Sequence, residues 1–306
     1  MDLVEEYLKI AKKDLKATKI LYENKLYPQS LFYFAQSVEK ANKALALGLN
    51  EYTEEDMRKV NHDATRIYKD IIIELKQRYE DLSRNLNRLP ELKNTDFVKN
   101  LGVEDTIKEC NGALKQHAEI QKAKTDLAFI SPREIREILI KISKTEKEME
   151  EGIENVKNFK LTENNLKETK EELFRQLENP KNNNFAYLLK KELSENKFTI
   201  QELEILIKQM YLQSLHYITI STALFYLAVI TLPYSVSTRY PKGDLYPTKI
   251  YNRRLPIVKK LPDLISLQSK TLIRLNKYCT EYIFNNKFYG VRGVRFELTN
   301  SFETGS

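Results

Sequence analysis

The sequence predicts an all-α protein, and three observations carry that prediction. Only eight Gly and nine Pro occur in 306 residues, fewer than the tight turns of an all-β or α/β fold require. Charged residues make up 30% of the chain and Trp is absent, which suits long helices exposed to solvent. Apolar residues recur at steps of three and four in several long segments, the period of a helix with one buried face.

The first two segments predict a helical hairpin. In the first helix, one stripe is formed by Leu8, Ala11, Leu15, Thr18 and Tyr22. The stretch ENKLYP interrupts it, and Pro28 suits the first turn of the next helix, where a missing N–H costs nothing.

The second helix contains both apolar and charged positions. Its predicted buried face consists of Leu31, Phe34 or Ala35, Val38, Ala41 and Leu45. Glu39 and Lys43 are one turn apart, so we expect them to pair on the exposed face, outside the hairpin seam. Gly48 is expected to end the helix in a left-handed conformation.

The third segment begins with a capping signal and contains a junction. Thr53 and Asp56 resemble a capping box, with Asp in the place of the usual Glu. Asn61 or Asp63 could cap a second start, so a break is expected around His62. A helical stripe continues on both sides of this break, and Pro90 ends the segment. The stripe consists of Val60, Ala64, Ile67, Ile71, Leu75 and Leu82.

Residues 91–198 mix acidic and basic residues and contain fewer apolar ones. Helix starts are indicated at Ser131 and Thr162, and residues 178–185 have a loop composition. The pattern predicts a charged helical insertion or second layer of about three or four helices.

Two further helices are predicted near the end of the chain. The first begins with a capping box at Thr199 and Glu202 and runs to Pro233, and the last begins with Pro262 in its first turn. No Lys, Arg, Asp or Glu occurs from residue 209 to 238, so residues 217–234 could cross a membrane. A helix buried in a bundle explains the same composition, and we favour it.

The positive charge of the chain is concentrated in its last part. Residues 239–306 contain 13 Lys or Arg and 5 Asp or Glu, although the whole chain carries only +7. A local basic surface is typical of a partner that bears phosphates. The link between the last two helices interleaves basic residues with tyrosines, which suits phosphate contact and base stacking or a loop packed by its own tyrosines. The candidate residues are Arg239, Tyr240, Lys242, Tyr246, Tyr251, Arg253 and Arg254.

The beginning of the chain resembles the HEPN domain, a helical bundle named for higher eukaryote and prokaryote nucleotide binding. The resemblance rests on a charged helix containing DLKA, a turn with Tyr27, and then FAQSVEKANKAL. VNHDATRIYKDI, and RYP at 239–241 before a final amphipathic helix, are also similar to parts of the family. The resemblance covers residues 1–80 and 200–285.

The resemblance implies a metal-independent ribonuclease toxin or defence effector that acts as a dimer. Active members carry an Arg followed, after four to six residues, by a His. A His can take the proton from a ribose 2′-OH, and an Arg can stabilise the charge that develops on the phosphate. Here the close pair is Arg58 and His62, with three residues between them. On a continuous helix both side chains would share a face. The alternative is a structural His62 at a helix junction and a solvated Arg58.

The remaining histidines and cysteines predict no metal site. His117 is expected to be exposed, and His216 is expected to be a core histidine or part of a second site. Cys110 and Cys279 are far apart in sequence and indicate a reducing compartment. The acidic N-terminus predicts no signal peptide. We predict no cofactor, because the sequence contains no glycine-rich phosphate loop.

The sequence therefore predicts a HEPN-like antiparallel helical bundle with a long charged helical insertion. Residues 1–90 and 199–285 would form the bundle, 91–198 the insertion and 286–306 a disordered tail. The predicted function is contact with RNA or nucleotide in the cytoplasm, as a homodimer, with cleavage by His62 and Arg58 if the protein is an enzyme. One alternative is a non-catalytic module that pairs with a nucleotidyltransferase antitoxin, and another is a membrane-associated protein with a span at 217–234.

Overall fold

The computed structural model describes residues 3–49, 52–60, 62–87, 102–123, 131–164, 167, 200–241 and 246–284. Within these ranges every regular element is a helix, which confirms the all-α prediction. A short π-helix, π1, covers Cys279–Phe284. The α-helices are α1 (Leu3–Glu23), α2 (Tyr27–Gly48), α3 (Glu54–Val60), α4 (Thr65–Asn87), α5 (Val103–Ala123), α6 (Pro132–Asn158), α7 (Ile200–Thr231), α8 (Tyr234–Ser237), α9 (Pro247–Ile250) and α10 (Pro256–Tyr278).

The chain forms two compact units. Unit 1 contains residues 1–64, 130–138 and 216–306, and unit 2 contains residues 65–129 and 139–215. The domain boundaries predicted at 90 and 198 stay a prediction. So does the tail at 286–306, which lies outside the described residues.

Helices α1 and α2 form the predicted hairpin in unit 1. Leu8, Ala11, Leu15 and Thr18 are all buried, as the stripe of α1 predicted. Small polar side chains of α2 bond to the α1 backbone across the seam: the Oγ atoms of Ser30 and Ser37 donate to the carbonyl oxygens of Thr18 and Ala11, each at 2.8 Å. These bonds satisfy buried hydroxyls and allow the two backbones to approach closely. Pro28 lies in the first turn of α2, as expected.

The prediction for Gly48 was wrong. Gly48 is the last residue of α2 and is not among the residues with positive φ. A Cβ at this position would lie 2.4 Å from Cδ1 of Ile283 in π1. A larger residue here would have to displace the end of the Ile283 side chain, so the close approach of π1 favours glycine. This neighbour is 235 residues away in sequence, and no local pattern reveals it.

The junction after α3 was predicted correctly. The backbone N–H of Thr53 donates to Asp56 Oδ2 at 3.1 Å, and that of Asp56 donates to Thr53 Oγ1 at 3.3 Å, which confirms the capping box. Helix α3 ends at Val60 and α4 begins at Thr65, so His62 and Asp63 lie between two helices. A second capping box joins Ser131 and Glu134 at the start of α6.

Helix α10 begins earlier than predicted. Pro256 occupies its first turn, and Pro262 lies inside the helix. Both prolines fit a helical φ, but only the first is at a position where the missing N–H leaves no gap in the bonding pattern. The buried face of α10 includes Leu264, Thr271 and Leu275.

In unit 2, α4 and α5 pack together. Leu86 of α4 and Val103 of α5 belong to one buried apolar cluster. His117 of α5 is also buried, with 7% of its surface exposed, and one of its ring nitrogens lies 3.3 Å from Thr65 Oγ1. The prediction of an exposed His117 was wrong, because the polar residues around it in sequence did not show that α4 covers this face.

One segment of the described chain, Ile207–Thr231, is long and apolar enough to cross a membrane, with a mean hydropathy of 1.4. Of this window 44% is buried within the protein itself. In unit 1 the last part of α7 buries Leu224 and Leu227, and Asn42 Nδ2 of α2 donates to the Leu224 carbonyl oxygen at 3.4 Å. The core helix of a soluble bundle can have the same length and apolar composition, so the membrane span at 217–234 stays a prediction.

Candidate functional site

Helix α2 is surrounded by other elements of unit 1. Helices α1, α8, α9 and α10 and the π-helix π1 all contact it. Its polar side chains therefore have little access to water: Gln36 is 9% exposed, Glu39 5% and Lys43 7%. The prediction that Glu39 and Lys43 lie on an exposed face was wrong.

Glu39 is held by bonds to both carboxylate oxygens. Lys43 Nζ lies 2.9 Å from Glu39 Oε1, and Gln36 Nε2 donates to Glu39 Oε2 at 3.3 Å. Lys40 Nζ donates to Gln36 Oε1 and lies 3.9 Å from Glu39 Oε1. A buried carboxylate requires such partners, because burying an unpaired charge costs several kcal/mol.

His62 makes the contact that gives this arrangement a chemical role. Its Nδ1 lies 3.1 Å from Glu39 Oε2, and 44% of its side chain is exposed. An ionised carboxylate only accepts hydrogen bonds, so this contact favours the tautomer with the proton on Nδ1. The neutral imidazole would then carry its lone pair on Nε2, the atom that a general base uses.

Asp14 of α1 adds a second carboxyl to the cluster. Burial raises the pKa of Asp14, with Lys40 opposing the rise and Glu39 adding to it. Burial also lowers the pKa of Lys40, against the attraction of Glu39 and Asp14. We call this group of residues the Glu39 cluster; it consists of Asp14, Gln36, Glu39, Lys40, Lys43 and His62.

Arg58 is not part of the Glu39 cluster. Its side chain is 78% exposed, and Nη2 lies 2.8 Å from Glu54 Oε1 one turn earlier on α3. Because α3 ends at Val60, Arg58 and His62 do not share a continuous helix. Within the described residues no hydrogen bond joins the two side chains. Their roles as phosphate stabiliser and general base stay a prediction.

The basic link divides into exposed and buried residues. The Arg239 guanidinium carbon lies 4.8 Å from the ring centroid of Phe32 and 5.1 Å from that of Tyr240. Tyr246 is 45% exposed, and Lys249 Nζ lies 4.8 Å from its ring centroid.

Tyr251 has a different position from the other tyrosines of the link. It is 2% exposed, its hydroxyl lies 2.7 Å from Ser237 Oγ, and burial raises its pKa. Its ring is not available to a nucleic-acid base. Arg253 and Arg254 are exposed, whereas Lys242 lies outside the described residues.

His216 of α7 lies beside Tyr282 of π1 in unit 1. Its ring centroid is 6.3 Å from that of Tyr282, and its pKa is lowered by burial and by Lys277 and Arg274, with Glu281 opposing. In the described part of the chain, no group of three or more His, Cys, Asp or Glu is arranged to hold a metal ion.

Sequence reasoning found His62 but missed Glu39, Gln36 and Lys43. One signal for them was present in α2: small apolar residues occur on several of its sides, so the helix had to be surrounded by neighbours. These residues are Ala35, Ala41, Ala44 and Ala46, all buried. On such a helix the few polar residues belong to the interior.

A family model described as the HEPN domain matches residues 4–166, more than half of the chain. The match covers α1 to α6 and thus contains Glu39, Arg58 and His62. It includes nearly all of the first segment on which the resemblance rested, and it continues into the predicted insertion. No curated protein and no solved structure matches the chain.

Proposed function

Because this chain belongs to the HEPN domain family, we propose that it binds RNA and cleaves it at His62 without a metal ion. Membership of the family associates the chain with RNA or nucleotides in general. The specific proposal rests on one observation, the contact of His62 Nδ1 with the buried Glu39 at 3.1 Å.

The contact supports general base catalysis in three ways. Glu39 orients the ring, favours the tautomer with a free Nε2, and stabilises the imidazolium that forms when Nε2 takes a proton. Lys43 and Gln36 fix the carboxylate in turn. An exposed histidine with no such support would rotate and would present either nitrogen.

The proposed reaction is attack of a ribose 2′-oxygen on the adjacent phosphorus. His62 Nε2 takes the proton of the 2′-OH as the new P–O bond forms. The bond from phosphorus to the 5′-oxygen breaks, and that oxygen takes a proton from the imidazolium or from water. The products are a 2′,3′-cyclic phosphate and a 5′-hydroxyl.

Arg58 would stabilise the charge on the phosphorane after leaving Glu54. The Arg58–Glu54 pair is exposed, and pairs of this kind contribute about 1 kcal/mol or less. A phosphate can therefore compete for the guanidinium at low cost. We also propose a homodimer in the cytoplasm, in which a second copy could bring another Arg58 and His62 close to the first.

A second function is favoured by the position of Arg58. Arg58 pairs with Glu54 and not with a group near His62. This arrangement is expected of a non-catalytic interaction module, in which Arg58 has no role beside His62. In that case the partner would be a protein such as a nucleotidyltransferase antitoxin, and the Glu39 cluster would have only a structural role.

The test is cleavage of an unstructured RNA by purified protein in EDTA. The variants are His62→Ala, Arg58→Ala and Glu39→Gln, and the products are analysed for cyclic phosphate ends. The matched control is Arg133→Ala, because Arg133 and Glu137 of α6 form an exposed pair with the same spacing and the same 2.8 Å distance as Arg58 and Glu54.

We expect cleavage by the wild type and the control, almost none by the His62 and Arg58 variants, and a reduced rate with Glu39→Gln. Absence of cleavage by a folded wild-type protein would overturn the enzymatic proposal and support the interaction module. Equal activity of His62→Ala and wild type would remove His62 from the mechanism.

A further inference from the structure

We propose that Phe32, Arg239 and Tyr240 form a subsite for an unpaired RNA nucleotide, here called the Arg239 subsite. The inference rests on the proposed function only in taking RNA as the ligand. It goes further by assigning a place and a structural class, single-stranded RNA, to the contact.

The Arg239 guanidinium lies close to two aromatic rings. The distances from its guanidinium carbon to the ring centroids are 4.8 Å for Phe32 and 5.1 Å for Tyr240. Stacking leaves the N–H groups at the edge of the guanidinium open, and within the described residues no carboxylate pairs with them. An Arg in this state can bind a phosphate with two parallel hydrogen bonds.

Tyr240 offers the stacking surface. It is 61% exposed, which is high for an aromatic side chain in a folded unit. One face of an exposed tyrosine can receive a base, and the neighbouring guanidinium adds a cation–π contribution and a phosphate contact.

The backbone before Arg239 is anchored, so the subsite is formed before RNA arrives. Ser237 Oγ lies 2.7 Å from the Tyr251 hydroxyl, and Thr238 Oγ1 donates to the Tyr234 carbonyl oxygen at 2.7 Å. The rings of Tyr234 and Tyr251 pack edge to face at 6.0 Å. These buried contacts fix the segment from which Arg239 and Tyr240 extend, which lowers the entropic cost of binding.

The helical period places Phe32 of the Arg239 subsite and Glu39 of the Glu39 cluster on one side of α2. Phe32 and Glu39 are seven residues apart in this helix. Seven residues correspond to almost two complete turns and a separation of about 10 Å. About three stacked nucleotides, at roughly 3.4 Å each, span the same distance. One short strand could therefore contact Arg239 while its next phosphates approach His62.

The ligand should be single-stranded. Stacking on Tyr240 requires a base whose face is not covered by its neighbours, and a duplex does not offer one. A surface that used only charge would bind duplex RNA at least as well.

The experiment measures binding separately from cleavage. Fluorescence anisotropy is recorded with a short labelled single-stranded RNA, and with the same strand annealed to its complement, in the His62→Ala background. The variants are Arg239→Gln and Tyr240→Leu. Arg133→Gln removes the same charge at an exposed position outside the proposed surface and serves as the control.

We expect Arg239→Gln and Tyr240→Leu to weaken binding of the single strand about tenfold each. The control should change it less than about twofold, and the duplex should bind more weakly than the single strand to the unaltered surface. Equal affinities of Arg239→Gln and Arg133→Gln would overturn the subsite, and so would preference for the duplex.

Failure of the two proposals can be distinguished. If the wild type does not cleave RNA but Arg239→Gln loses binding, the Arg239 subsite stands and the mechanism at His62 falls. If His62→Ala abolishes cleavage while Arg239→Gln binds and cleaves as the wild type does, the mechanism stands and the subsite falls.

Discussion

Two ion pairs with the same spacing have opposite surroundings in this protein. Glu39 and Lys43 of α2 are four residues apart, and so are Lys144 and Glu148 of α6. The side chains of Glu39 and Lys43 are 6% and 9% exposed, whereas those of Lys144 and Glu148 are 76% and 59% exposed. The spacing shows that two charges can meet, but the neighbours of the helix decide whether they do so in water or in the interior.

The largest difference between the two pairs should appear when one lysine is replaced. Lys43→Met leaves the buried Glu39 carboxylate without its main partner, and we expect a loss of about 3–5 kcal/mol in the free energy of unfolding. Lys144→Met should cost less than about 1 kcal/mol. Urea unfolding followed by circular dichroism measures both.

A double variant gives the control for this prediction. Adding Glu39→Gln to Lys43→Met removes the unpaired charge, so most of the lost stability should return. A double variant as unstable as Lys43→Met alone would mean that packing of the lysine stem, and not its charge, supports α2.

The glycines of the two units provide the next contrast. At Gly48 a Cβ would meet Ile283, so Gly48→Val should cost about 1–3 kcal/mol through overpacking. At Gly112 of α5 no atom of the described residues outside the helix's own neighbouring backbone lies within 4 Å of the added Cβ, so Gly112→Ala should gain about 0.5–1 kcal/mol from helix propensity. Thermal unfolding of both variants checks the signs, and a stabilising Gly48→Val would show that π1 does not hold its position against α2.

A smaller effect is expected from the carboxyls of α1 as the pH changes. Burial raises the folded-state pKa of Asp14 above its ordinary value of 3.8, so folded protein holds this proton more tightly than unfolded protein. The contribution of Asp14 to stability therefore falls as the pH rises from 3.8 through the folded-state pKa. Asp14→Asn should be more stable than the wild type at neutral pH, and the difference should shrink in acid.

Glu5 gives the opposite sign on the same helix. Its pKa is lowered by Lys9, so Glu5→Gln should lose a little stability at neutral pH and nothing in strong acid. Urea midpoints across the acid range test both variants. If the stability changes caused by Asp14→Asn and Glu5→Gln varied with pH in the same direction, the opposite pKa shifts of the two carboxyls would be contradicted.

The smallest effect concerns Arg58. Its pair with Glu54 is exposed, so Arg58→Ala should leave the urea midpoint almost unchanged, as Arg133→Ala should. A large loss of stability in Arg58→Ala alone would show that this residue has a structural role. It would also prevent a loss of cleavage from being assigned to chemistry.

Local signals were sufficient to predict much of the fold. The stripe from Leu8 to Thr18 and the capping boxes at Thr53 and Ser131 depend only on residues close together in sequence. The structure confirms each of them. The break near His62 was visible for the same reason. Errors arose where the deciding neighbour is distant in sequence, as for Gly48 with Ile283 and His117 with Thr65.

The candidate site follows the same rule. His62 was identified because it lies at a helix junction, a local feature. Its contact with Glu39 joins residues 23 positions apart. The helix that carries Glu39 is also contacted by α10, which lies more than 200 residues further along the chain. Composition alone named Arg239 and Tyr240 as candidates, and these stay a prediction; it did not name Phe32 of α2, whose ring lies close to Arg239.

Unit 1 joins helices from the first 64 residues with helices that follow residue 216, and this order has a consequence during translation. Helices α1 and α2 leave the ribosome long before α10, which covers one side of α2. At about 5–20 residues per second, the roughly 200 intervening residues take about 10–40 s to synthesise. Throughout that interval the nascent α2 has no α10 to shield it, which makes it a natural client for a chaperone. The packing around α2, the helix that carries Glu39, would thus become complete only after α10 has been synthesised.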